Sequence, residues 1–460
     1  MTSSIEDIFA AQHAALAASP AASTLTERRA ALRRLHGAVK VRERALIEAM
    51  AGDFGKGAVE VQLTELLPLY QEIATARRRL RGWMRGRRAW PGLALFGTST
   101  RLRPDPKGLA LILGPSNYPF MLALGPLVSA LAAGNRVIVK PSELAPRTAA
   151  LVAEVIGACF EPDQVAAVQG GAETAEALTR LPFDHVFFTG STRIGQRVMA
   201  AAAQHLATVT LELGGKSPVI LGPDADLAQA ARMVAWGKLT NGGQACVSPD
   251  HVYVPRRNKA AFLSALKAEL ARMEPDAARS ITPQHLERME ALVTEAKAAG
   301  AAEAWRGIGG PGRYPPVVLT RISPEMAVMH EEIFGPILPV IAYDDPAEAI
   351  AAVNARAKPL TIYVFAHDPH FARRVVDETR SGSVAVNLTM AHFAHPTMPF
   401  GGVGASGQGA AHGHAGFLAF SHVKPVVVNH FAPLGLLMPP VTARVRQRAR
   451  LALAWMRGFG

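Results

Sequence analysis

Apolar residues in the first 88 positions recur at helical spacing. Leu66, Leu67, Tyr70 and Ile73 within 64–86 are an example, set among Ala, Leu and Arg with few helix breakers. From 90 to 103 the texture changes to Gly, Thr and aromatic residues, which predicts extended chain or a hairpin. Short apolar runs then alternate with helical patterns. Strands are predicted at 108–113, 136–140, 165–168 and 185–188, and helices at 122–133, 149–159, 172–181 and 195–204. A second alternating set follows residue 215, with strands near Val219, Val252, Leu338, Thr361 and Val384. Such alternation implies βαβ units and parallel sheets. The chain therefore reads as two α/β domains that abut near Gly214 and Gly215, without a tandem repeat or a low-complexity linker.

Composition narrows the function more than the fold. With 460 residues, 49% of them hydrophobic and 19% charged, the chain can bury two or three cores. The net charge of +12 raises nucleic acid or a membrane surface as partners. Only 11 of the 49 basic residues are Lys, however, and Ala is heavily used, which indicates a general Arg and Ala bias. No aromatic-plus-basic recognition motif accompanies the charge, so nucleic acid is not an expected partner. Cys159 and Cys246 leave room for one disulfide but form no secreted framework. Residues 1–22 carry Glu6 and Asp7 and lack a basic start before an apolar run, so no secretory signal is expected. No apolar run reaches the roughly 20 residues of a spanning helix, and a reducing cytoplasm is the expected compartment. His392, His395, His412, His414 and His422 cluster late without a carboxylate or thiol at ligand spacing, so no metal is expected.

Four short motifs carry candidate chemistry. Gly190-Ser-Thr-Arg-Ile-Gly195 follows a strand and opens a helix, where backbone can approach a phosphate and the helix N-terminus favours negative charge. Its spacing is not G-x-G-x-x-G, and an ordinary strand-to-helix turn would read the same way. Asn241-Gly-Gly-Gln-Ala-Cys246 brings a thiol after a flexible Gly-rich approach, as a nucleophile needs; a buried structural cysteine is the alternative. Cys159, in an apolar helix, reads as structural. Glu212, between two leucines and before paired glycines, is a candidate base whose pKa burial would raise; a surface Glu at a loop entry is the alternative. Asn117, between Ser116 and Tyr118, can donate an amide N–H to an oxyanion or simply form a turn.

Together these motifs resemble the aldehyde dehydrogenase superfamily over nearly the whole chain. The matching stretches are Gly114-Pro-Ser-Asn-Tyr-Pro-Phe120, Ala133-Gly-Asn135, Lys140-Pro-Ser-Glu143, Phe188-Thr-Gly-Ser191, Glu212-Leu-Gly-Gly-Lys-Ser-Pro218, Gly243-Gln-Ala-Cys246, Glu331-Glu-Ile-Phe-Gly-Pro336 and Pro399-Phe-Gly-Gly402. The ending Gly404-Ala-Ser-Gly-Gln-Gly409, His412-Gly413 and Phe417-Leu-Ala-Phe-Ser-His422 is similar to the class 3 branch, which includes fatty, aromatic and coniferyl aldehyde dehydrogenases. The resemblance implies Cys246 as nucleophile, Glu212 as base and Asn117 with the Cys246 backbone N–H as oxyanion donors. It places Lys140 and Glu143 at the adenosine ribose, Gly190, Ser191 and Gly195 at the pyrophosphate, Glu332 at the nicotinamide ribose and Phe334 beside the nicotinamide. It implies NAD as cofactor, with NADP as the second choice because Glu143 would repel a 2′-phosphate. Three positions depart from the family: Ser116 stands where Trp is usual, Ala411 where class 3 members have Tyr, and Ala245 where Thr is common.

The implied architecture is a Rossmann-type cofactor domain (1–88 and 104–213), an α/β catalytic domain (214–405) and a small β oligomerisation segment (89–103 and 421–432) that makes a homodimer. The expected substrate is an apolar aldehyde, aromatic such as coniferaldehyde or medium- to long-chain aliphatic. A non-catalytic, membrane-associated scaffold retaining the fold is the alternative, and the complete set of Cys246, Glu212 and Asn117 argues against it. Residues 433–460 form a basic tail. Within it, 441–456 predicts a helix with Val445, Ala449, Ala452 and Met456 on one face and Arg444, Arg446, Arg448 and Arg450 beside it. Such a helix could lie weakly on an anionic inner membrane surface, or dock on the protein, or stay solvated.

Overall fold

The computed structural model describes residues 4–19, 22–92, 95–279, 282–431 and 436–458. Positions 93–94 and 432–435 of the expected oligomerisation and tail segments lie outside the described residues, as do 1–3, 20–21, 280–281 and 459–460.

The first sheet has six strands in the order Gly407–Gln408, Thr208–Leu213, His185–Gly190, Leu109–Leu113, Arg136–Lys140 and Val165–Ala167. All neighbours are parallel except the first pair. The central strand Leu109–Leu113 is buried at every position, as a parallel strand covered on both faces must be. Ala110, Ile112, Val137 and Val139 pack under helices Leu25–Lys40, Glu43–Phe54, Leu67–Arg85 and Met121–Ala133. Leu109, Leu111, Leu113 and Ile138 face Phe9, Val198 and Ala202 on the other side. The chain builds outward from 109–113 to 165–167, then crosses back to 185–190 and 208–213. The order thus reverses between Leu109–Leu113 and His185–Gly190, and the carboxyl ends of the strands frame a crevice there.

The second sheet runs Ala302–Arg306, Val317–Thr320, Ile337–Tyr343, His251–Pro255, Pro218–Leu221, Thr361–Phe365 and Ser383–Val386, with only the first pair antiparallel. One face packs on helices Leu227–Leu239 and Lys259–Met273, the other on Pro346–Asn354 and Pro369–Glu378. The two α/β units expected from the sequence are present, with the passage between them at residues 214–217. The chain also returns: Gly407–Gln408, just past the expected end of the second unit, adds to the first sheet beside Leu211 and Glu212.

A third, antiparallel sheet joins Arg87–Ala89, Thr98–Pro106 and Ser421–Asn429, with Ser421 opposite Pro106 and Asn429 opposite Thr98. The helical pattern at 64–86 is not one continuous α-helix. A π-helical turn, Gln62–Leu66, precedes the α-helix Leu67–Arg85. At the end of the chain Thr442 caps the helix Ala443–Arg457, none of whose described residues is buried.

Candidate active site

Asn117 follows the central strand Leu109–Leu113, and Glu212 lies in Thr208–Leu213 of the same sheet. Cys246 comes from the second unit, in the loop after helix Leu227–Leu239. That loop turns sharply because Asn241, Gly242 and Gly243 all take left-handed conformations (φ 53°, 61° and 76°). Glycine is needed at 243 on a second count: a Cβ there would stand 2.6 Å from the Gly335 carbonyl.

Cys246 and Glu212 line one cavity of about 290 Å3, with Phe187, Tyr118, Phe393 and Met390 among its walls. A wider groove of about 860 Å3 shares Leu63, Thr64, Trp236 and Thr240 with it, so the cavity continues to the surface. Ala411 is part of the cavity wall, so the ring that the resemblance leads one to expect there is replaced by open space. Asn117 is buried; its amide Nδ2 donates to the Gln244 carbonyl at 3.0 Å, two residues before the cysteine. An amide carries two N–H groups, so one remains for a ligand. The Cys246 and Val247 backbone amides face the Cys246 sulfur.

Burial sets the protonation of the site's titratable groups. Burial, then the charges of Glu332 and Glu212, push the Cys246 thiol up to about 12. Burial also holds the Glu212 carboxyl well above the usual range, and neither of its oxygens has a hydrogen-bond partner among the described residues. The nearby Ala411 N–H offsets little of this, being committed to the Phe400 carbonyl at 2.7 Å. Glu332 is raised to about 7 by burial, against a counteracting Gly215 N–H, and its Oε1 is likewise unpartnered. Cys159 is buried on the first sheet's helices, and both cysteines are free thiols.

Of the remaining sequence candidates, Lys140, Gly190 and Ser191 stand at the carboxyl ends of first-sheet strands, and Glu332 lies beside Gly214, just past the end of Thr208–Leu213. Lys140 ends its strand and pairs with Glu143 (Nζ to Oε2, 2.5 Å). Gly190 ends the strand across the switch point, beyond Leu109–Leu113, Ser191 caps helix Thr192–Ala203, and Gly195 packs so closely on Leu213 that a Cβ would clash. The Glu332 carboxylate lies against Gly214, where a side chain would collide with it. Phe334 takes a left-handed φ of 51°, and its carbonyl accepts from His285 Nε2 at 2.7 Å. A crevice floored by glycines, a helix N-terminus at one side and unpartnered buried oxygens on Thr189 and Glu332 suit a polyhydroxylated dinucleotide with a pyrophosphate.

Asp250 and Glu72, which stand in no motif, and the ties that Lys216 and His412 make were not read from the sequence. Lys216 Nζ bonds Asp250 Oδ1 at 2.6 Å and the carbonyls of Val328 and Glu331, both at 2.7 Å, while Asp250 Oδ2 accepts the Ile333 N–H at 3.1 Å. This tie fixes the Glu332 loop against the strand that carries Glu212. A buried pair, Glu72 with His412 Nδ1 at 2.7 Å, forms part of the cavity wall. No group of three or more potential metal ligands occurs among the described residues.

A thiol, a desolvated carboxylate and an amide donor meet beside a crevice that suits a dinucleotide, an arrangement fitted to acyl-forming oxidation. The profile of the aldehyde dehydrogenase family matches residues 2–426, and the chain belongs to that family. It falls in the class 3-like branch and oxidises aldehydes. It is 41% identical to the probable coniferyl aldehyde dehydrogenase of Pseudomonas aeruginosa, over 95% of this chain and 93% of that protein. It is 40% identical to aldehyde dehydrogenase family 3 member A2 of Rattus norvegicus, over 87% and 83% of the two chains. Among solved structures, the substrate-bound state of Staphylococcus aureus AldH superposes with a TM-score of 0.91 at 36% identity, covering 98% of this chain and 100% of that one. The Mycobacterium tuberculosis aldehyde dehydrogenase complexed with NAD+ gives 0.84 at 26% identity, covering 93% and 91%.

Proposed function

We propose that the protein oxidises an apolar aldehyde to the carboxylic acid with NAD, through a thioester on Cys246. The observation that carries this reading is the meeting of Cys246 and Glu212 in one largely apolar cavity, with the Asn117 amide bonded to the cysteine's own loop. Cys246 Sγ adds to the carbonyl carbon, and its proton passes to Glu212, a carboxylate that burial makes a stronger base than one in water. The Asn117 amide and the Cys246 backbone N–H hold the oxygen that becomes negative. NAD, when bound, supplies the hydride acceptor. The oxidised substrate stays on Cys246 as a thioester. Glu212 gives the thiol proton up to solvent and, once ionised, takes a proton from water, whose oxygen attacks the acyl carbon; the C–S bond breaks, the Cys246 thiolate leaves and is reprotonated by Glu212, and the acid is released.

Lys140 and Glu143 would hold the adenosine ribose, Gly190, Ser191 and Gly195 the pyrophosphate, Glu332 the nicotinamide ribose, and Phe334 would flank the nicotinamide. Residues 1–88 and 104–213 then serve as cofactor domain and 214–405 as catalytic domain, with 89–103 and 421–432 joining two copies. The apolar cavity favours aromatic or medium- to long-chain aliphatic aldehydes, such as coniferaldehyde or dodecanal. The cytoplasm is the compartment that suits a working thiol, and the exposed basic tail helix would touch an anionic membrane surface from there. NADH formation with hexanal, dodecanal, benzaldehyde and coniferaldehyde tests the reading. Cys246→Ala is expected to bind cofactor and yield no NADH with any of them, and Cys159→Ala to stay near wild type. Turnover by Cys246→Ala would end the mechanism.

A further inference from the structure

Lys56, Glu60 and Glu65 occupy one short stretch: Glu60 in the helical turn Ala58–Val61, Glu65 in the π-helical turn Gln62–Leu66, and Lys56 just before both. The Lys56 and Glu65 side chains are both 0% exposed, with Nζ 3.2 Å from Oε1. A buried ion pair is a poor way to stabilise a core, because desolvation cancels most of the attraction. π-helical turns are moreover frequent at working sites. What these groups do with their remaining hydrogen-bonding capacity is therefore informative.

It goes to the loops that carry Asn117 and Cys246 and to the helix start just after Asn117. Lys56 Nζ donates to the Asn117 carbonyl at 3.3 Å and stands 4.5 Å from the centre of the Tyr118 ring. Glu65 Oε2 accepts the Met121 N–H at 2.8 Å. Glu60 Oε1 accepts the Asn241 N–H at 2.6 Å, at the start of the left-handed turn that leads to Cys246. The loops are then bonded to each other: Asn241 Nδ2 donates to the same Asn117 carbonyl at 2.9 Å and to the Gln244 carbonyl at 3.1 Å, which Asn117 Nδ2 also reaches at 3.0 Å. Asn117 is thus gripped at its carbonyl by a lysine and at its side chain by the cysteine loop, leaving little freedom in where its second amide N–H points.

We infer that Lys56 and Glu65 are positioning residues for the oxidation: they aim the Asn117 amide at the developing oxyanion, while Glu60 holds the cysteine loop in register with it. The inference rests on Asn117 as oxyanion donor. A donor misplaced by a fraction of an ångström forfeits much of its effect on the transition state while leaving substrate binding nearly intact.

The test is a cycle of variants in the full-length enzyme: Glu65→Gln, the neutral pair Lys56→Met/Glu65→Leu, Asn117→Ala, and the neutral pair combined with Asn117→Ala. Three quantities are read: kcat, KM for one aldehyde, and the rate at which iodoacetamide alkylates Cys246. Alkylation needs the thiol but no oxyanion site, so an unchanged rate certifies an intact pocket. Glu65→Gln and the neutral pair are expected to lower kcat roughly 10- to 100-fold, with KM and alkylation within about twofold of wild type. In the Asn117→Ala background the neutral pair should cost less than about threefold more. A kcat loss that multiplies in full on top of Asn117→Ala would show that the pair acts elsewhere. A neutral pair with wild-type kcat, or one that loses alkylation in step with kcat, would equally overturn the positioning role. A crippled Asn117→Ala beside an unaffected neutral pair ends the positioning role alone. An Asn117→Ala enzyme near wild type ends the oxyanion reading, and with it any device acting through that amide.

Discussion

Cys246 and Glu212 both hold their protons more tightly than in water, because the cavity strips away the solvent that would stabilise either charge. Glu143 behaves in the opposite way: although burial opposes it, the bond from Lys140 keeps its carboxyl below the usual range and so charged at neutral pH. A fixed carboxylate at the adenosine ribose would repel a 2′-phosphate. Glu143→Ala is therefore expected to raise the ratio of kcat/KM for NADP over NAD by about tenfold, roughly 1.4 kcal/mol. An unchanged ratio, or a wild-type enzyme that already prefers NADP, would show that this carboxylate does not set cofactor choice. The candidate residues were legible in the sequence because each sits in a compact motif whose residue types match one chemical task. Lys56, Glu65, Glu72 and Asp250 were not, because they stand in no motif and only folding brings them against the loops they hold; Lys216 stands in a matched stretch, but its tie to Asp250 and to the Glu331 carbonyl was not legible there. A signal did exist: Glu65 and Glu72 share helical spacing with the buried Leu69 and Ala76, so charges stand on a stripe that should be apolar.

Strands were the most legible elements. Arg136–Lys140 lies at its predicted bounds and the others shift by a residue or two, because short β-branched runs between turn residues have few other ways to be buried. The π-helical turn at 62–66 was not legible, since it keeps the apolar texture of the α-helix it precedes. The tail helix forms where the sequence placed it, but its Leu451, Leu453, Trp455 and Met456 are exposed, as are the arginines beside them. No helix among the described residues is long and apolar enough to cross a membrane. A surface-lying helix would use both sets of residues, each basic contact contributing about 1 kcal/mol at an anionic surface. Full-length protein is expected to co-sediment with phosphatidylserine-containing vesicles at low salt, and protein truncated after Pro440 to do so less. Equal sedimentation of the two would remove the membrane role and leave the helix solvated.

At the scale of the molecule, two features await a partner and a substrate. Ser421–Asn429 is the edge of its sheet, nine residues long, with Val423, Val427 and Val428 exposed. An apolar edge of that length invites pairing with another chain. Light scattering in solution is accordingly expected to give about twice the 48.8 kDa chain mass, and a monomer mass would contradict the proposed oligomerisation segment. The general two-unit architecture followed from alternating strands and helices, whereas the return of Gly407–Gln408 to the first sheet did not, because two residues carry no periodicity. That return helps to close the site around Glu212, opposite which Gly407 pairs. The account's central claim is that Glu212, from one unit, hydrolyses a thioester held on Cys246 of the other. In the wild type this hydrolysis needs the ionised carboxylate, so its rate should fall as pH drops through a pKa above the ordinary 4.5. The most direct measurement is rapid-mixing NADH formation by Glu212→Gln with trapped acyl-enzyme detected by mass. The account predicts a burst near one NADH per active subunit, acyl mass on the Cys246 peptide, then turnover slowed by about 10²- to 10⁴-fold without that acidic limb. Uniformly slow NADH formation with no burst and no acyl-enzyme would contradict it.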